Sequence, residues 1–243
     1  GVTTGQSLQD DRTPEQLTAE AVEAAKNADY VIFVGGMNKA HHQDCEDGDR
    51  LHYELPYGQD QLISALAAVN NRVIFVSISG NAHGMPWVND VEAVLQAWYS
   101  GSETGHAVAD IIFGDVNPSG KLPYTIQPTL ADYPAHQYGE IAYPGVDKQV
   151  HYMEDIFVGY RYADLYGRRR PIKYEAQGVQ YTINPPMHQS VFPFGFGLSY
   201  TTFAYGEATL SGDKITMSVT NTGDREGQEV VQLYVSDAKA SVV

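Results

Sequence analysis

Apolar and polar positions along the first half of the chain alternate between two periods. Leu17, Ala21, Ala24 and Ala25 recur at helical spacing through TPEQLTAEAVEAAKNA. Thr13 can cap that helix, and Pro14 occupies the first helical position, where its missing N–H costs nothing. DYVIFVGG follows as a continuous apolar, β-branched run, which predicts a strand covered on both faces. Further on, LPYGQDQLISALAAVNN reads as an amphipathic helix, NRVIFVSISG as a second buried strand and VEAVLQAWYS as a third. GSETGHAVADIIFGD reads as a helix ended by Gly114. The order helix, strand, helix, strand, strand, helix predicts a doubly wound α/β domain with a mostly parallel sheet.

The pattern then changes twice. From about Pro128 to Pro193 the sequence is rich in Tyr, Pro, Gly and His, and reads as long surface excursions with one ordered stretch, HYMEDIFVGYRYADL. Tyr152, Tyr160 and Tyr162 are expected to pack it onto the core, and Arg168, Arg169 and Arg170 to form a solvated turn. In FAYGEATLSGDKITMSVTNTGDREGQEVVQLYVSD, apolar and polar residues alternate through Ile215, Met217 and Val219. Turn signals stand at Ser211-Gly212-Asp213 and Asn221-Thr222-Gly223. This is the pattern of a β-sandwich, a fold of about seven strands and about 100 residues, of which barely half precedes Val243. The expected organisation is an α/β domain over 1–200, excursions at 128–193 included, and the beginning of a β-sandwich over 201–243.

Composition narrows the partners. The chain has 243 residues, with 30 acidic against 15 basic side chains and a formal charge of -15. Coulomb repulsion at that charge disfavours nucleic acid and anionic membranes. No apolar stretch approaches the roughly 20 residues that span a bilayer. GVTTGQSLQDDRTPEQ lacks the basic and apolar parts of a secretion signal. The single Cys45 cannot form an intramolecular disulfide, so it neither requires nor excludes an oxidising compartment.

The densest chemistry lies just after the first strand, in HHQDCEDGDR from His41 to Arg50: two histidines, the cysteine, four carboxylates and an arginine. Loops on buried strands are where α/β proteins keep their functional groups. His41, His42, Asp44, Cys45 or Glu46 could ligate zinc, but neighbours on an extended loop point different ways, and no second ligand cluster follows. A Cys45 nucleophile would need a histidine brought to it by the fold. The remaining readings are a solvated acidic loop and a carboxylic acid acting as general acid/base. Two other motifs are set aside. GDVNPSGKL has five residues between Gly114 and Gly120 where a phosphate loop has four, and Leu122 where it has Ser or Thr. SISGN lacks the glycine two residues before Ser79 that a nucleophile elbow requires.

Taken together, MPWVNDVEAVLQAWYSGSETGHAVADIIFGDVNPSGKLPYTI, YMEDIFVGYRYADL and FPFGFGLSYTTF resemble the glycoside hydrolase family 3 β-glucosidases from about Asp29 to Val235. The resemblance implies an α/β sandwich domain, here 1–200, followed by the start of a fibronectin type III-like domain. It also implies a preceding (β/α)8-type barrel, absent from this chain, that carries an aspartate nucleophile. The family's acid/base string, roughly Glu-Gly-x-Asp-Arg before a Leu-Pro helix start, matches Glu46-Asp47-Gly48-Asp49-Arg50 ahead of Leu55-Pro56, with the glycine one place later. Glu46 thereby takes the acid/base position, and His41, His42, Asp49 and Arg50 are candidate substrate contacts.

Retaining hydrolysis needs two carboxyl groups about 5 Å apart, one to attack the anomeric carbon and one to protonate the leaving oxygen and then deprotonate water. The second must stay protonated near the working pH, which desolvation or neighbouring negative charge achieves. Asp44, Asp47 and Asp49 could supply that charge, and Arg50 could limit it or hold the loop by an ion pair. Trp98 and Tyr99 are expected to pack against the helix that begins near Gly101 rather than to stack on sugar. The implied activity is hydrolysis of terminal β-linked sugars, most commonly β-glucosides or oligosaccharides, with no cofactor and no metal. On this reading the chain alone is inactive. The other class compatible with the fold is a carbohydrate-binding or docking module that has lost the reaction. A homo-oligomer is compatible with the sequence, and secretion or periplasmic export would suit an acidic glycan-degrading enzyme.

Overall fold

A computed structural model of the chain describes residues 11–40, 42–46, 48, 50–176, 178–237 and 239–240. Helix α1 (Pro14–Lys26) starts where the sequence places it. The Thr13 hydroxyl accepts from the Gln16 N–H, and the Gln16 side chain accepts from the Thr13 N–H at 2.8 Å, a reciprocal capping box. Strand β1 (Val31–Gly36), helix α2 (Gln59–Ala67), strands β2 (Val73–Ile78) and β3 (Ala93–Gln96) and helix α3 (Thr104–Phe113) follow in the expected order. Gly114, left-handed at φ 81°, ends α3.

The strands form a parallel sheet in the order β1-β2-β3, with Val31 beside Val73 and Ile74 beside Ala93. These three run in one direction across the sheet without reversal, so the strand order shows the parallel part of the expectation and not a doubly wound one. Helices α1 and α2 cover one face, where Ala25 and Leu66 close over Val73 with Val31, Phe33 and Leu62 around them.

The expectation that the first strand is covered on both faces needs correction. Val31 and Phe33 face the helices, but Ile32 and Val34 on the other face are 44% and 61% exposed, because no described element lies over them. Strand β2 is the covered one: Val73, Phe75 and Ser77 on one face and Val76 on the other are all fully buried.

The core continues beyond the sheet. Phe75 packs edge-on against Trp87 at 4.7 Å between ring centres, with Ile63, Met85 and Ile126 around them. Asp60, in the first turn of α2, is buried and satisfied on both oxygens: Oδ1 accepts from Trp87 Nε1 at 2.7 Å and Oδ2 from the Leu55 N–H at 3.1 Å. One carboxylate thus joins the start of α2 to the core of the sheet.

Residues 128–193 are more ordered than the composition implies. Helical turns α4 (Pro134–Gln137) and α5 (Tyr160–Ala163) precede an antiparallel hairpin, β4 (Ile172–Ala176) and β5 (Val179–Ile183). Phe157, Tyr162, Leu165 and Ile183 form a second small core beneath it. Tyr162 is buried and the Tyr160 ring meets Phe194 at a tilt, but Tyr152 is 71% exposed and does not pack as expected. Beyond Thr201 the chain forms two antiparallel pairs, β6 (Phe203–Tyr205) with β9 (Val219–Asn221) and β7 (Thr209–Ser211) with β8 (Lys214–Thr216). Residues 222–237 take no strand, although their sequence alternates. Lys121, the lysine of the rejected phosphate loop, instead binds the Gly197 carbonyl at 2.7 Å and the Glu229 carboxylate at 3.2 Å. No helix among the described residues is long and apolar enough to cross a membrane.

Trp87→Phe keeps the ring in the core but leaves Asp60 Oδ1 buried without its donor. We expect a loss of about 1–3 kcal/mol, read as a lower urea midpoint with an unchanged slope.

Candidate active site

The loops that leave β1, β2 and β3 meet at the carboxyl edge of the sheet, the edge at which α/β proteins bind ligands. Gly36 ends β1 at φ 126° so close to β2 that an added Cβ would lie 2.1 Å from the Ile78 carbonyl oxygen, and only glycine fits. The loop then folds on itself. The Asn38 carbonyl accepts from the Asp44 N–H at 3.0 Å, the Asn38 side chain accepts from the Ala40 N–H, and the Gln43 side chain accepts from the Asn38 N–H. Cys45 and Gly48 pair as an isolated antiparallel bridge. Glu46 stands exposed at the tip of the turn between them.

Both flanks of this turn are fastened to the segment after β2. On one side, Asp44 Oδ2 accepts from the Gly80 N–H at 2.8 Å and from the Tyr99 hydroxyl at 2.9 Å. On the other, the Arg50 guanidinium donates to the Ala82 carbonyl at 2.6 Å and contacts Met37 Sδ at 3.2 Å. The Tyr53 carbonyl accepts from the Gly84 N–H at 2.9 Å, and the buried Tyr53 hydroxyl donates to the Gln127 carbonyl at 2.8 Å.

The segment from Ser79 to Gly84 is itself set by buried polar bonds. His83 is fully buried, with Nδ1 2.9 Å from the Gly84 carbonyl and Nε2 2.9 Å from Ser77 Oγ. A carbonyl can only accept, so Nδ1 carries a hydrogen, and in the neutral ring Nε2 accepts from the serine. Burial lowers the His83 pKa below its ordinary value. Ser79 is buried too and donates to the Asn81 carbonyl at 3.1 Å, which accords with setting it aside as a nucleophile.

A cavity of about 420 Å³ opens beside the loop. Asp44, Cys45 and Arg50 line it from the loop, Gly80 and Asn81 from the end of β2, Tyr99 from the end of β3, and Leu130, His136 and Tyr143 from the excursion. The His136 and Tyr143 rings meet edge-on at 5.2 Å, and burial lowers the His136 pKa.

Of the residues singled out from sequence, Glu46 and Arg50 are brought to this edge, and His42 is exposed on the same loop in a left-handed conformation. His41, Asp47 and Asp49 lie outside the described residues. Among the described residues, no three His, Cys, Asp or Glu side chains gather as a metal site. Trp98 packs edge-on against Tyr124 at 5.5 Å. Tyr99 departs from expectation: its hydroxyl is bonded to Asp44, a tie between residues 55 positions apart that no local pattern signals. His136 and Tyr143 were also missed, since a Tyr- and His-rich stretch reads the same whether it lines a cavity or faces solvent.

Residues 2–160 match the family model described as the glycosyl hydrolase family 3 C-terminal domain. The chain belongs to glycosyl hydrolase family 3. It is 45% identical over 95% of its length to a β-glucosidase of Bacteroides ovatus, of which it covers 29%, and 36% identical over 98% of its length to thermostable β-glucosidase B of Acetivibrio thermocellus, again covering 29%. Among solved structures it superposes on a Streptomyces venezuelae β-glucosidase in complex with D-glucose with a TM-score of 0.73 and 34% identity, covering 88% of this chain and 25% of that one. A Bifidobacterium adolescentis family 3 β-glucosidase gives a TM-score of 0.72 at 36% identity, over 88% of this chain and 29% of that one. The chain thus spans between about a quarter and three-tenths of the length of these family 3 relatives.

The family 3 loop rests on a turn built around a histidine whose charged form burial disfavours, which sets a pH dependence. With a folded pKa below the ordinary 6.5, His83 takes up its proton first in the unfolded chain as pH falls. Its contribution is complete above pH 6.5 and is lost as pH drops from there through the folded value. Denaturant midpoints should therefore fall between pH 7.5 and 5.5, and His83→Gln should be less stable at pH 7.5 with a flatter profile.

Proposed function

We propose that this chain is the C-terminal part of a retaining β-glycosidase, with β-glucosides its best-supported substrates and Glu46 its general acid/base. The observation that carries the reading is Glu46 itself. In a chain of this family, a glutamate at the motif position stands exposed on a turn fastened at both flanks, at the carboxyl edge of the sheet, and its neighbours Asp44, Cys45 and Arg50 line a cavity. The relatives described above are β-glucosidases, which supports glucose as the glycone.

In the first step the Glu46 carboxyl gives its proton to the glycosidic oxygen as the C–O bond breaks, while an aspartate carboxylate bonds to the anomeric carbon. In the second, the Glu46 carboxylate takes a proton from the water that attacks that carbon and frees the aspartate. The aspartate is assigned to a barrel domain outside this chain, which makes such a barrel the chain's closest partner. The ladders β6·β9 and β7·β8 support reading residues from about 201 as the beginning of a fibronectin III-like sandwich.

The isolated chain is expected not to hydrolyse aryl β-glucosides, and turnover at normal enzyme rates would overturn the assignment. In the full-length protein, Glu46→Gln should cost about 10²–10⁴-fold on a poor leaving group such as phenol. It should cost far less on dinitrophenol, and azide should partly restore turnover. Equal losses on the two substrates would exclude Glu46 as the acid.

A further inference from the structure

We infer that Asp44 is the positioning residue of the Glu46 turn: one carboxylate oxygen fastens the turn to the segments that follow β2 and β3 and so fixes where the Glu46 carboxyl stands. The inference rests on Glu46 being the acid/base. Asp44 lies two residues before Glu46, a span of at most about 7 Å of chain. Its Oδ2 accepts from the Gly80 N–H at 2.8 Å, at the end of β2, and from the Tyr99 hydroxyl at 2.9 Å, at the end of β3. The loop itself leaves β1, so all three strands of the sheet converge on this atom.

The approach is close by construction. An added Cβ on Gly80 would come within 3.2 Å of the Tyr99 ring and 3.7 Å of Asp44 Oδ2. Burial and then the bond to Asp44 push the Tyr99 pKa up, so the phenol remains a donor across the working range. Arg50, four residues beyond Glu46, provides the opposite anchor on the Ala82 carbonyl. Glu46 itself is exposed, so its position is set by what holds its neighbours. A misplacement of about 1 Å in a catalytic group can cost about 10²-fold.

Geometry and charge make opposite forecasts for Asp44→Asn. The carboxamide oxygen can accept from both Gly80 and Tyr99, so the tie survives while the charge goes. The test measures kcat and KM in the full-length enzyme for β-glucosides of phenol and of dinitrophenol, with Glu46→Gln in parallel. Positioning predicts that Asp44→Ala loses about 10- to 100-fold in kcat/KM on the phenyl substrate, the constant that reports the acid-assisted first step. It predicts little loss in kcat/KM on the dinitrophenyl substrate, and Asp44→Asn within a few-fold of the parent. Tyr99→Phe removes one of the two donors and should give a several-fold loss with the same leaving-group bias; it carries the test if Asp44→Ala does not fold.

Asp44→Asn as damaging as Asp44→Ala would overturn the inference in favour of a role for the charge. Asp44→Ala and Tyr99→Phe with equal losses on both substrates, or with none, would overturn it while Glu46→Gln still shows the bias. Loss of the bias in Glu46→Gln would overturn the acid assignment, and this inference with it.

Discussion

The hydrogen bond between Ser77 Oγ and His83 Nε2 is the constraint on which the rest of the site depends. Both residues are fully buried, and the second imidazole nitrogen is satisfied by the Gly84 carbonyl, so the ring has one orientation and one tautomer available to it. Buried polar groups cost about 1–3 kcal/mol when left unpaired, which penalises any other path for the chain from Ser79 to Gly84. That path presents the Gly80 N–H to Asp44, the Ala82 carbonyl to Arg50 and the Gly84 N–H to the Tyr53 carbonyl. The loop rich in titratable groups is therefore shaped by the buried turn of the neighbouring strand as well as by its own hydrogen bonds.

The parts of the fold legible in the sequence are those specified locally. Helix α1 could be read because Thr13 and Pro14 mark its start and an apolar stripe from Leu17 follows, and β2 because its apolar run is buried on both faces. Strand β1 has the same kind of run and a different environment. A continuous apolar stretch records that both faces can be covered, not which described element covers them, and here Ile32 and Val34 are left open. The hairpin β4–β5 was legible in principle: Ile172 and Tyr174 alternate toward the same side as Tyr181 and Ile183 across Gly178. The surrounding Pro, Gly and Arg residues masked that period as loop composition.

The site divides along the same line. Glu46 and Arg50 could be found because a motif names them by spacing. Gly80, Tyr99, His136 and Tyr143 could not, because each reaches the cavity through contacts between distant segments. Asp44 is the instructive case. In sequence it is one of four acids in a loop, which reads as solvated charge or as a means of holding a neighbouring acid protonated. In the fold its Oδ2 is spent on two donors from other strands. Carboxylates crowded into one loop thus need not act through charge.

For the proposed chemistry, a retaining pair divided between two domains would place a particular demand on this arrangement. The two carboxyls must stand about 5 Å apart, and functional groups need to be held to within about 0.5 Å of productive geometry. A nucleophile on another domain cannot correct for a loose acid. An unanchored ten-residue loop would spread Glu46 over a range far wider than that tolerance. Anchoring both flanks of the turn to a buried segment transfers the rigidity of the sheet to an exposed residue, while the carboxyl itself stays open toward the surface where a partner domain can meet it. For the proposed chemistry, an exposed glutamate on a doubly fastened turn is the form an acid/base takes when the rest of its site is supplied from elsewhere.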